Sequence, residues 1–369
     1  MQAGMTYPGV VCSNCGCAYP KDGAPYRCPA CDGLYDFCGA YHFETERLEP
    51  AQPGIWRFRH TFGIAQDFAP ISLGEGNTPL VWAEVLGRQI AFKCEFINPS
   101  GSFKDRGSAI IAAWLKSRGV TEAVEDSSGN AGASFAAYAA RAGINARIYV
   151  PESASGPKRR QIEAYGAELV PIPGSRADVA DAVRKVADGG SAYASHAYLP
   201  FNLPGYATAA YEIFEQAGRM PGAVIVPAGQ GGLLLGLARG FEALGKDYEQ
   251  DERPMMIGVQ ARSCAPLWAK FLERGDEPGL VTECDTLAEG VRVRNPLRAE
   301  AVIAAVMASC GFICAIDEKD ILPARDALAR LGFYVEPTSA IAWAALIQTV
   351  GKLPDPIVVI LSGSGLKYG

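Results

Sequence analysis

Lys104 is the residue whose position in this sequence is most suggestive of chemistry. It follows a loop of Asn, Pro, Ser and Gly residues that starts at Asn98, and a helical pattern begins near Phe103. The positive end of a helix dipole disfavours an ammonium group, so a lysine at a helix start tends to have a lowered pKa. Schiff-base chemistry uses lysines of this kind. A lone lysine is nevertheless most often a surface residue, so the interpretation depends on what surrounds it.

Three further segments place small residues where a helix or turn would bind an anion. They are DSSGNAG at 126–132, AGQGGL at 228–233 and SGSGLK at 362–367. Glycines and serines that enter a helix present several backbone N–H groups at one point, which suits a carboxylate or a phosphate. The glycine pattern matches neither dinucleotide nor nucleoside triphosphate loops. Each segment alone is also consistent with helix capping, close packing or a simple turn.

Cysteines are concentrated near the N-terminus, where six of the eleven lie in the first 38 residues. Two C-x2-C knuckles, separated by 12 residues, have zinc-ribbon spacing, and four thiolates satisfy tetrahedral zinc with no open position. We predict a structural zinc site, with Cys17 and Cys38 as alternative ligands and a redox C-x-x-C pair as the rival interpretation. The predicted ligands are Cys12, Cys15, Cys28 and Cys31. The remaining cysteines are expected to be buried thiols: Cys94, Cys264, Cys284, Cys310 and Cys314.

The elements that must position these residues alternate along the chain from about residue 70. Short β-rich runs are separated by helical patterns of about 10 to 15 residues, which predicts an α/β fold with mostly parallel sheets. Apolar runs such as IVVIL predict strands that are covered on both faces. Predicted strands cover 89–93, 146–150, 169–172, 223–227, 256–260 and 357–361. Predicted helices cover 105–118, 131–141, 157–165, 176–187, 208–216, 233–243 and 321–331.

Composition bounds the class of protein. The 369 residues are 49% hydrophobic and 20% charged, with a net charge of −6 and no long run of Lys or Arg. These values are typical of a globular enzyme with two domains and argue against nucleic acid or an anionic membrane as the main partner. No apolar stretch reaches the roughly 20 residues of a membrane helix, and we find no secretory signal. We therefore expect a cytoplasmic protein that acts on a small molecule.

Taken together, the motifs resemble those of fold type II pyridoxal-phosphate-dependent enzymes, in the same order and over roughly residues 70–369. Several segments are similar to threonine synthases: SGSFKDRG, SSGNAGAS, GEGNTPL, GPKRRQIEAYGA, AEGV and VEPTSA. Some threonine synthase-like proteins also carry an N-terminal zinc ribbon. The resemblance implies a two-domain α/β fold like that of tryptophan synthase beta, pyridoxal 5′-phosphate as the cofactor, and a homodimer.

The resemblance also implies roles for individual residues. Lys104 would be the catalytic residue that binds the cofactor covalently, and Phe103 would border the cofactor ring. Asn130 would hydrogen-bond the phenolic oxygen, and the Ser362 hydroxyl would face the pyridine nitrogen. Because a hydroxyl does not hold that nitrogen protonated, elimination and replacement would be favoured over transamination. The substrate carboxylate would be received by Ser127, Ser128 and Gly129, and the cofactor phosphate by Gly229, Gln230, Gly231, Gly232 and Leu233.

The expected domain layout has three parts. A zinc ribbon would occupy residues 1–45, and a large cofactor-binding domain would combine 46–115 with 203–369. A smaller, mobile domain would occupy 116–202 and close over the ligand.

One segment departs from the threonine synthase pattern. Those enzymes often read NP(F/Y)xxEGxKT before the glycine loop, whereas this chain has Ala207 at the lysine position, with Pro204 and Tyr206 beside it. Gln230 likewise replaces a usual asparagine. A substrate phosphate needs cations, and three residues remain as candidates: Lys158, Arg159 and Arg160. Their spacing is equally consistent with a solvated helix face.

Three functions remain open from the sequence. The leading hypothesis is conversion of O-phospho-L-homoserine and water into L-threonine and phosphate. The first alternative is β-elimination or β-replacement, as in serine/threonine ammonia-lyases or, on O-phosphoserine, in cysteate synthase. The second is a non-catalytic paralogue that retains the cofactor. The histidines are interpreted as structural, with His196 nearest the predicted site.

Overall fold

A computed structural model of the protein describes residues 9–63, 69–153, 156–248, 253–273 and 285–368. The chain forms two compact units. The first unit falls within residues 1–75 and 104–205, and the second within 76–103 and 206–368. The chain thus passes between units immediately before Lys104. The predicted layout had other boundaries, at 45/46, 115/116 and 202/203, and the mobility of its smaller domain remains a prediction.

Both units contain β-strands. In chain order they are β1 (Val10–Cys12), β2 (Tyr35–Phe37), β3 (Leu80–Val85), β4 (Arg88–Lys93), β5 (Glu122–Glu125), β6 (Asn145–Pro151), β7 (Glu168–Ile172), β8 (Ala192–Tyr193), β9 (Ala223–Pro227), β10 (Met255–Ala261), β11 (Phe312–Ile316) and β12 (Ile357–Ile360).

The α-helices alternate with these strands from β4 onward. They are α1 (Lys104–Ser117), α2 (Asn130–Ala142), α3 (Pro157–Ala164), α4 (Arg176–Asp188), α5 (Leu203–Ala217), α6 (Gly232–Asp247), α7 (Pro266–Glu273), α8 (Ala299–Ala308), α9 (Glu318–Arg330) and α10 (Pro337–Thr349).

The first unit contains a four-stranded parallel sheet with the order β7-β6-β5-β8. Its strand β5 is interior, and α2 follows it after a short loop. A separate antiparallel pair, β1 and β2, belongs to the cysteine-rich segment. Parallel order lets the carboxyl ends of β5 and β8 share one edge of the sheet. Residues that follow these two strands are therefore close together.

The second unit contains a six-stranded sheet with the order β11-β10-β9-β12-β4-β3. All neighbouring strands are parallel except β3, which pairs antiparallel with β4 at the edge. Every residue of β9 and of β12 is buried. The core between sheet and helices includes Ile225, Ile257, Ile341 and Val359, each 0% exposed. The predicted α/β fold with mostly parallel, two-sided sheets is confirmed.

All predicted strands and helices are present, with bounds that differ mainly at the ends. The largest difference is α5, which begins at Leu203 rather than at residue 208. Proline is compatible with the first turn of a helix, where its missing N–H has no partner to lose, so Pro204 does not delay the start. The predicted ranges did not include several further elements: β1, β2, β3, β5, β8, β11, α7, α8 and α10.

The structure describes four of the five cysteines expected to be buried, and one of these, Cys314, is half-buried. Cys94 and Cys264 are buried as expected, but Cys310 is exposed, so the expectation for that thiol was wrong. Cys310 ends the turn after α8 with φ +53, which places it at the surface. Cys284 lies outside the described residues.

No helix among the described residues is long and apolar enough to cross a membrane.

Candidate active site

Lys104 is the first residue of α1 and is half-buried. Burial lowers the pKa of its ammonium group to about 8, and the nearby carboxylate of Glu125 opposes that shift. The lowered pKa agrees with the sequence prediction, although the main cause is removal from water rather than the helix dipole. The amine can therefore be neutral near physiological pH, which a base or nucleophile requires.

Helix α1 is fixed against α2 by buried hydrogen bonds. The Ser134 hydroxyl lies 2.6 Å from Asp105 Oδ1 and 2.8 Å from Ser108 Oγ, and all three side chains are buried. Asp105 directly follows Lys104, and Ser134 lies one turn after Asn130. Lys104 and Asn130, the predicted site residues that begin α1 and α2, are thus held by one rigid helix pair.

The loop between β5 and α2 has the form of an anion site. Ser127, Ser128 and Gly129 are half-buried and precede a 13-residue helix, whose first N–H groups have no partner within the helix. A Cβ at Gly132 would lie 1.8 Å from the Ser127 carbonyl oxygen, so the loop can fold over the helix start only because residue 132 is glycine. This geometry suits the carboxylate role predicted for the segment.

The sequence analysis missed a buried charged group beside this loop. Glu125, the last residue of β5, has its Oε1 atom 3.1 Å from His196 Nδ1, and the two side chains are 1% and 19% exposed. Burial raises the pKa of Glu125 to about 7, and burial together with the positive charge of Lys104 lowers the pKa of His196. A carboxylate at the end of an apolar strand, Glu125 after Ala123-Val124, was the signal available in the sequence.

In the second unit, the glycine loop joins β9 to the 16-residue helix α6. Gly231 has φ +79, and a Cβ there would lie 2.4 Å from Val302 Cγ2. A Cβ at Gly229 would lie 2.9 Å from the Gly290 carbonyl oxygen. Side chains are therefore excluded, and the backbone amides before Leu233 are left to bind an anion at the helix start.

Two glutamine side chains hold this loop in place. Gln230 Oε1 accepts a hydrogen bond of 3.1 Å from the Leu297 amide. Gln260 donates to the Ala228 carbonyl at 2.9 Å and is fully buried. The substitution of asparagine by Gln230 thus has a structural use: its side chain fastens the loop to the segment before α8.

Ser362 follows β12 and is 2% exposed. Its hydroxyl lies 3.1 Å from Ser339 Oγ, and its carbonyl accepts a 3.0 Å hydrogen bond from the Phe103 amide. The Phe103 ring lies 5.2 Å from the Tyr206 ring, centroid to centroid. The second unit thus brings together Phe103 and Ser362, while Lys104, Ser127, Ser128, Gly129 and Asn130 belong to the first unit.

Comparison with known proteins identifies the family. The model of the pyridoxal-phosphate dependent enzymes matches residues 71–363. The chain belongs to this family. A threonine synthase of Methanocaldococcus jannaschii is 32% identical over 96% of this chain and 92% of its own length. A threonine synthase of Mycobacterium tuberculosis H37Rv is 33% identical over 88% of this chain and 91% of its own.

Solved structures in this family have the same fold. A threonine deaminase from T.th. has a TM-score of 0.66 and 29% identity, covering 79% of this chain and 94% of that one. Maize serine racemase has a TM-score of 0.68 at 23% identity, covering 79% of this chain and 89% of that one. The fold type II architecture predicted from the sequence is confirmed.

The described residues fit a pyridoxal phosphate. The glycine loop offers amides at a helix start, with no side chain in the way, as a phosphate requires. Lys104 offers an amine of lowered pKa, as a covalent bond to an aldehyde requires. Within the described part of the chain, the fully buried hydroxyl of Ser102 has no hydrogen-bond partner. A bound polar group would satisfy such a hydroxyl, so the sequence leading to Lys104 is arranged for a ligand.

The four predicted metal ligands also lie together. The sulfur atoms of Cys12, Cys15, Cys28 and Cys31 are all within 4.8 Å of one another. Cys12 Sγ lies 3.5 Å from Cys31 Sγ, and Cys15 Sγ lies 3.7 Å from Cys28 Sγ. Zn–S bonds of about 2.3 Å place the sulfurs of a tetrahedral site at such separations, so the set fits zinc.

The cysteine-rich segment packs on the first unit through aromatic and charged side chains. The Tyr19 ring meets the rings of Trp114 and Phe201 at 5.7 and 5.2 Å. The Tyr26 hydroxyl donates to Asp188 at 2.8 Å, and Arg27 pairs with the same carboxylate at 2.9 Å. Trp114 belongs to α1, so the segment supports the helix that begins with Lys104.

Proposed function

We propose that this protein is a threonine synthase, which converts O-phospho-L-homoserine and water into L-threonine and phosphate. The observation that carries the proposal is similarity to curated threonine synthases over almost the whole chain. Half-buried Lys104, with a pKa lowered to about 8, supplies the base that this chemistry needs.

In this proposal, each predicted residue has a specific task. Pyridoxal phosphate, when bound, draws electrons from the substrate and makes its Cα proton acidic. The Lys104 amine takes up protons at Cα and Cβ, phosphate leaves from Cγ, and protons are returned to Cγ and Cα. Water supplies the hydroxyl at Cβ, and its remaining proton leaves with the phosphate. The amides of Ser127, Ser128 and Gly129 hold the substrate carboxylate. The neutral Ser362 hydroxyl leaves the ring a weaker electron sink than a carboxylate would.

The remaining cofactor contacts belong to the same proposal. Phe103 borders the ring, and Asn130 hydrogen-bonds the phenolic oxygen. The amides of residues 229–233 bind the cofactor phosphate at the positive end of α6. For the substrate phosphate, the first turn of α3 offers cations in the first unit: Lys158, Arg159 and Arg160.

A β-eliminating enzyme is the second candidate, favoured by the residues at the start of α5. Tyr206 is 2% exposed and Ala207 is 0% exposed. A Cβ on Gly240 would lie 2.7 Å from the Ala207 carbonyl oxygen, so this part of α5 packs against α6 and offers no cation. The 29% identity to a threonine deaminase points the same way.

A substrate panel separates these candidates. Purified holoenzyme is incubated with O-phospho-L-homoserine, O-phosphoserine, serine and threonine, and phosphate, keto acids and amino acids are measured. Threonine and phosphate from the first substrate alone support the proposal. Keto acids from serine or threonine would replace it with β-elimination. No product from any substrate would indicate a non-catalytic paralogue.

The proposal also includes structural zinc in the cysteine cluster, a homodimer and a cytoplasmic location. Zinc is supported by the geometry of four sulfurs with no other ligand type among them. Zinc bound to four thiolates has no open position, so its role would be to stabilise the fold rather than to take part in the reaction.

A further inference from the structure

Glu125 is a buried carboxylate that none of the proposed cofactor or substrate contacts uses. It ends β5, an interior strand of the parallel sheet, and its side chain is 1% exposed. In open α/β sheets, ligands bind beyond the carboxyl ends of the strands, where this carboxylate lies. A carboxylate removed from water is costly unless hydrogen bonds and opposite charges compensate.

Both oxygens of Glu125 have defined partners in the first unit. One faces His196 Nδ1 at 3.1 Å, and the other accepts a 2.5 Å hydrogen bond from the Ser127 amide. His196 is itself fixed, because Asn202 Nδ2 donates to its carbonyl at 2.6 Å. The Ser195 hydroxyl accepts from the Ala197 amide in the same turn at 3.3 Å. The pair is therefore rigid, and one of its members contacts the loop proposed to hold the substrate.

The charged and titratable groups around the pair come from each element packed against it. They are Lys104 at the start of α1, Asp126 in the following loop, Arg176 at the start of α4 and Tyr193 in β8. Arg176 pairs with Asp126 at 2.9 Å, and its positive charge also lowers the pKa of Glu125. Lys104 and Glu125 are oppositely charged, and each also shifts the pKa of the other toward its charged form.

We propose that Glu125 and His196 are positioning residues that control the proton on the Lys104 amine, with Glu125 supplying the counter-charge and His196 fixing its orientation. This proposal rests on the function proposed above, in which Lys104 must both accept and return protons. A buried ammonium without a counter-charge loses its proton, so Lys104 alone would seldom hold the proton that it must return. The carboxylate keeps part of the amine protonated at neutral pH.

The direction of the pH dependence follows from these charges. The Glu125 carboxylate raises the pKa of Lys104 and so opposes the lowering caused by burial. When pH falls through about 7, Glu125 takes up a proton and this support is lost. Replacement by glutamine removes the support at every pH. The pKa of Lys104 then falls further, and steps in which the amine returns a proton become slower at high pH.

The test compares Glu125→Gln with Glu125→Asp and with Asp181→Asn, which removes an exposed carboxylate from α4. The pH profile of kcat and the pH titration of the visible cofactor band are measured on each holoenzyme. For Glu125→Gln we expect the basic limb of kcat and the band titration to move down by about one pH unit, and kcat above that limb to fall about tenfold. Glu125→Asp should restore part of both, and Asp181→Asn should change neither.

An unchanged pH profile and band titration in Glu125→Gln would overturn the proposal and leave the pair a structural one. If Glu125→Gln does not accumulate as folded holoenzyme, His196→Gln provides the test, because it keeps the carboxylate but removes its imidazole partner. A shift of the acidic limb of the kcat pH profile in His196→Gln then supports the proposal, and an unchanged acidic limb refutes it.

The two readouts separate this proposal from the proposed function. The band titration needs no substrate, because it follows the proton on the Lys104 nitrogen that is bonded to the cofactor. It therefore reports on Glu125 even if O-phospho-L-homoserine is not turned over. Conversely, threonine formation with an unaltered Glu125→Gln titration would support the function and reject the role of the pair.

Discussion

Lys104 and Glu125 show how burial can move two pKa values toward each other. Removal from water lowers the pKa of the amine to about 8 and raises the pKa of the carboxyl to about 7, because each loses the hydration of its charged form. A proton can then pass to or from either group near neutral pH, as acid–base catalysis requires. Elsewhere in the site, single glycines matter because an added Cβ would collide with neighbouring protein atoms and displace the loop.

Gly231 lies in the glycine loop that is proposed to bind the cofactor phosphate. Gly231→Ala adds a Cβ at φ +79 and 2.4 Å from Val302 Cγ2, so the loop must shift. We expect the variant to lose about 1–3 kcal/mol of stability and cofactor affinity to fall at least tenfold. Cofactor titration by visible absorbance and urea unfolding measure the two effects.

Gly218→Ala is the matched control. Gly218 has φ +69 but nothing within 4 Å of an added Cβ, so it carries the backbone cost without the clash. It should lose about 1–2 kcal/mol and retain cofactor affinity. Equal cofactor affinities in the two variants would show that the glycine loop does not bind the phosphate.

At the scale of elements, α1 is supported on several sides. The cysteine-rich segment packs on Trp114, and Ser134 of α2 bonds Asp105. The sequence predicted α1 and α2 nearly to the residue, because both begin after glycine-containing loops and have clear ends. It missed β5, whose four residues are too short for a periodic pattern, and with β5 it missed the significance of Glu125.

The cysteine cluster yields an element-scale prediction. Cys28→Ser should abolish zinc binding, since three thiolates and a hydroxyl bind zinc poorly, and should lower the melting temperature through loss of the fold of residues 9–38. Zinc per chain is measured by elemental analysis. Cys17→Ser is the control: Cys17 lies outside the group of four, so zinc content should remain unchanged. Loss of zinc in Cys17→Ser alone would reassign the ligands.

A second element-scale prediction concerns the link between β4 and α5. Lys93 and Glu212 form a 2.7 Å ion pair in which both side chains are 0% exposed. Glu212→Gln leaves a buried lysine without its charge partner, which should cost about 3–5 kcal/mol.

The partly exposed Glu242 is the comparison, because its side chain is 31% exposed and pairs with Lys246 and Arg253, which are 55% and 41% exposed. Glu242→Gln should cost no more than about 1 kcal/mol. Urea unfolding midpoints of the two variants test the difference. Similar midpoints would mean that the buried pair contributes no more than a surface one.

At the scale of the whole molecule, the fold class and the family were predictable from the sequence. The alternation of strand and helix patterns predicted the parallel sheets, and the order of four motifs predicted the enzyme family. The boundaries between the two compact units were harder to predict from the sequence, because the chain passes from one unit to the other inside continuous motifs. Two of these crossings lie between Phe103 and Lys104 and between Gly205 and Tyr206. Local patterns do not record which long-range contacts a residue will make.

The oligomeric state is a whole-molecule prediction. We expect a homodimer, so light scattering after gel filtration should give about twice the 39.1 kDa mass of the chain. The same mass with and without bound cofactor would show that the dimer does not depend on the cofactor. A mass of one chain at micromolar concentration would exclude the predicted dimer.

The lysine that bonds the cofactor can be located directly by chemical reduction of that bond. Holoenzyme is reduced with borohydride, digested, and analysed by mass spectrometry for peptides that carry the reduced cofactor. We expect modification of Lys104, in the peptide containing Ser102 and Phe103, with Lys93 and Lys367 unmodified as buried lysine controls. Modification at another lysine, with Lys104 unmodified, would contradict it.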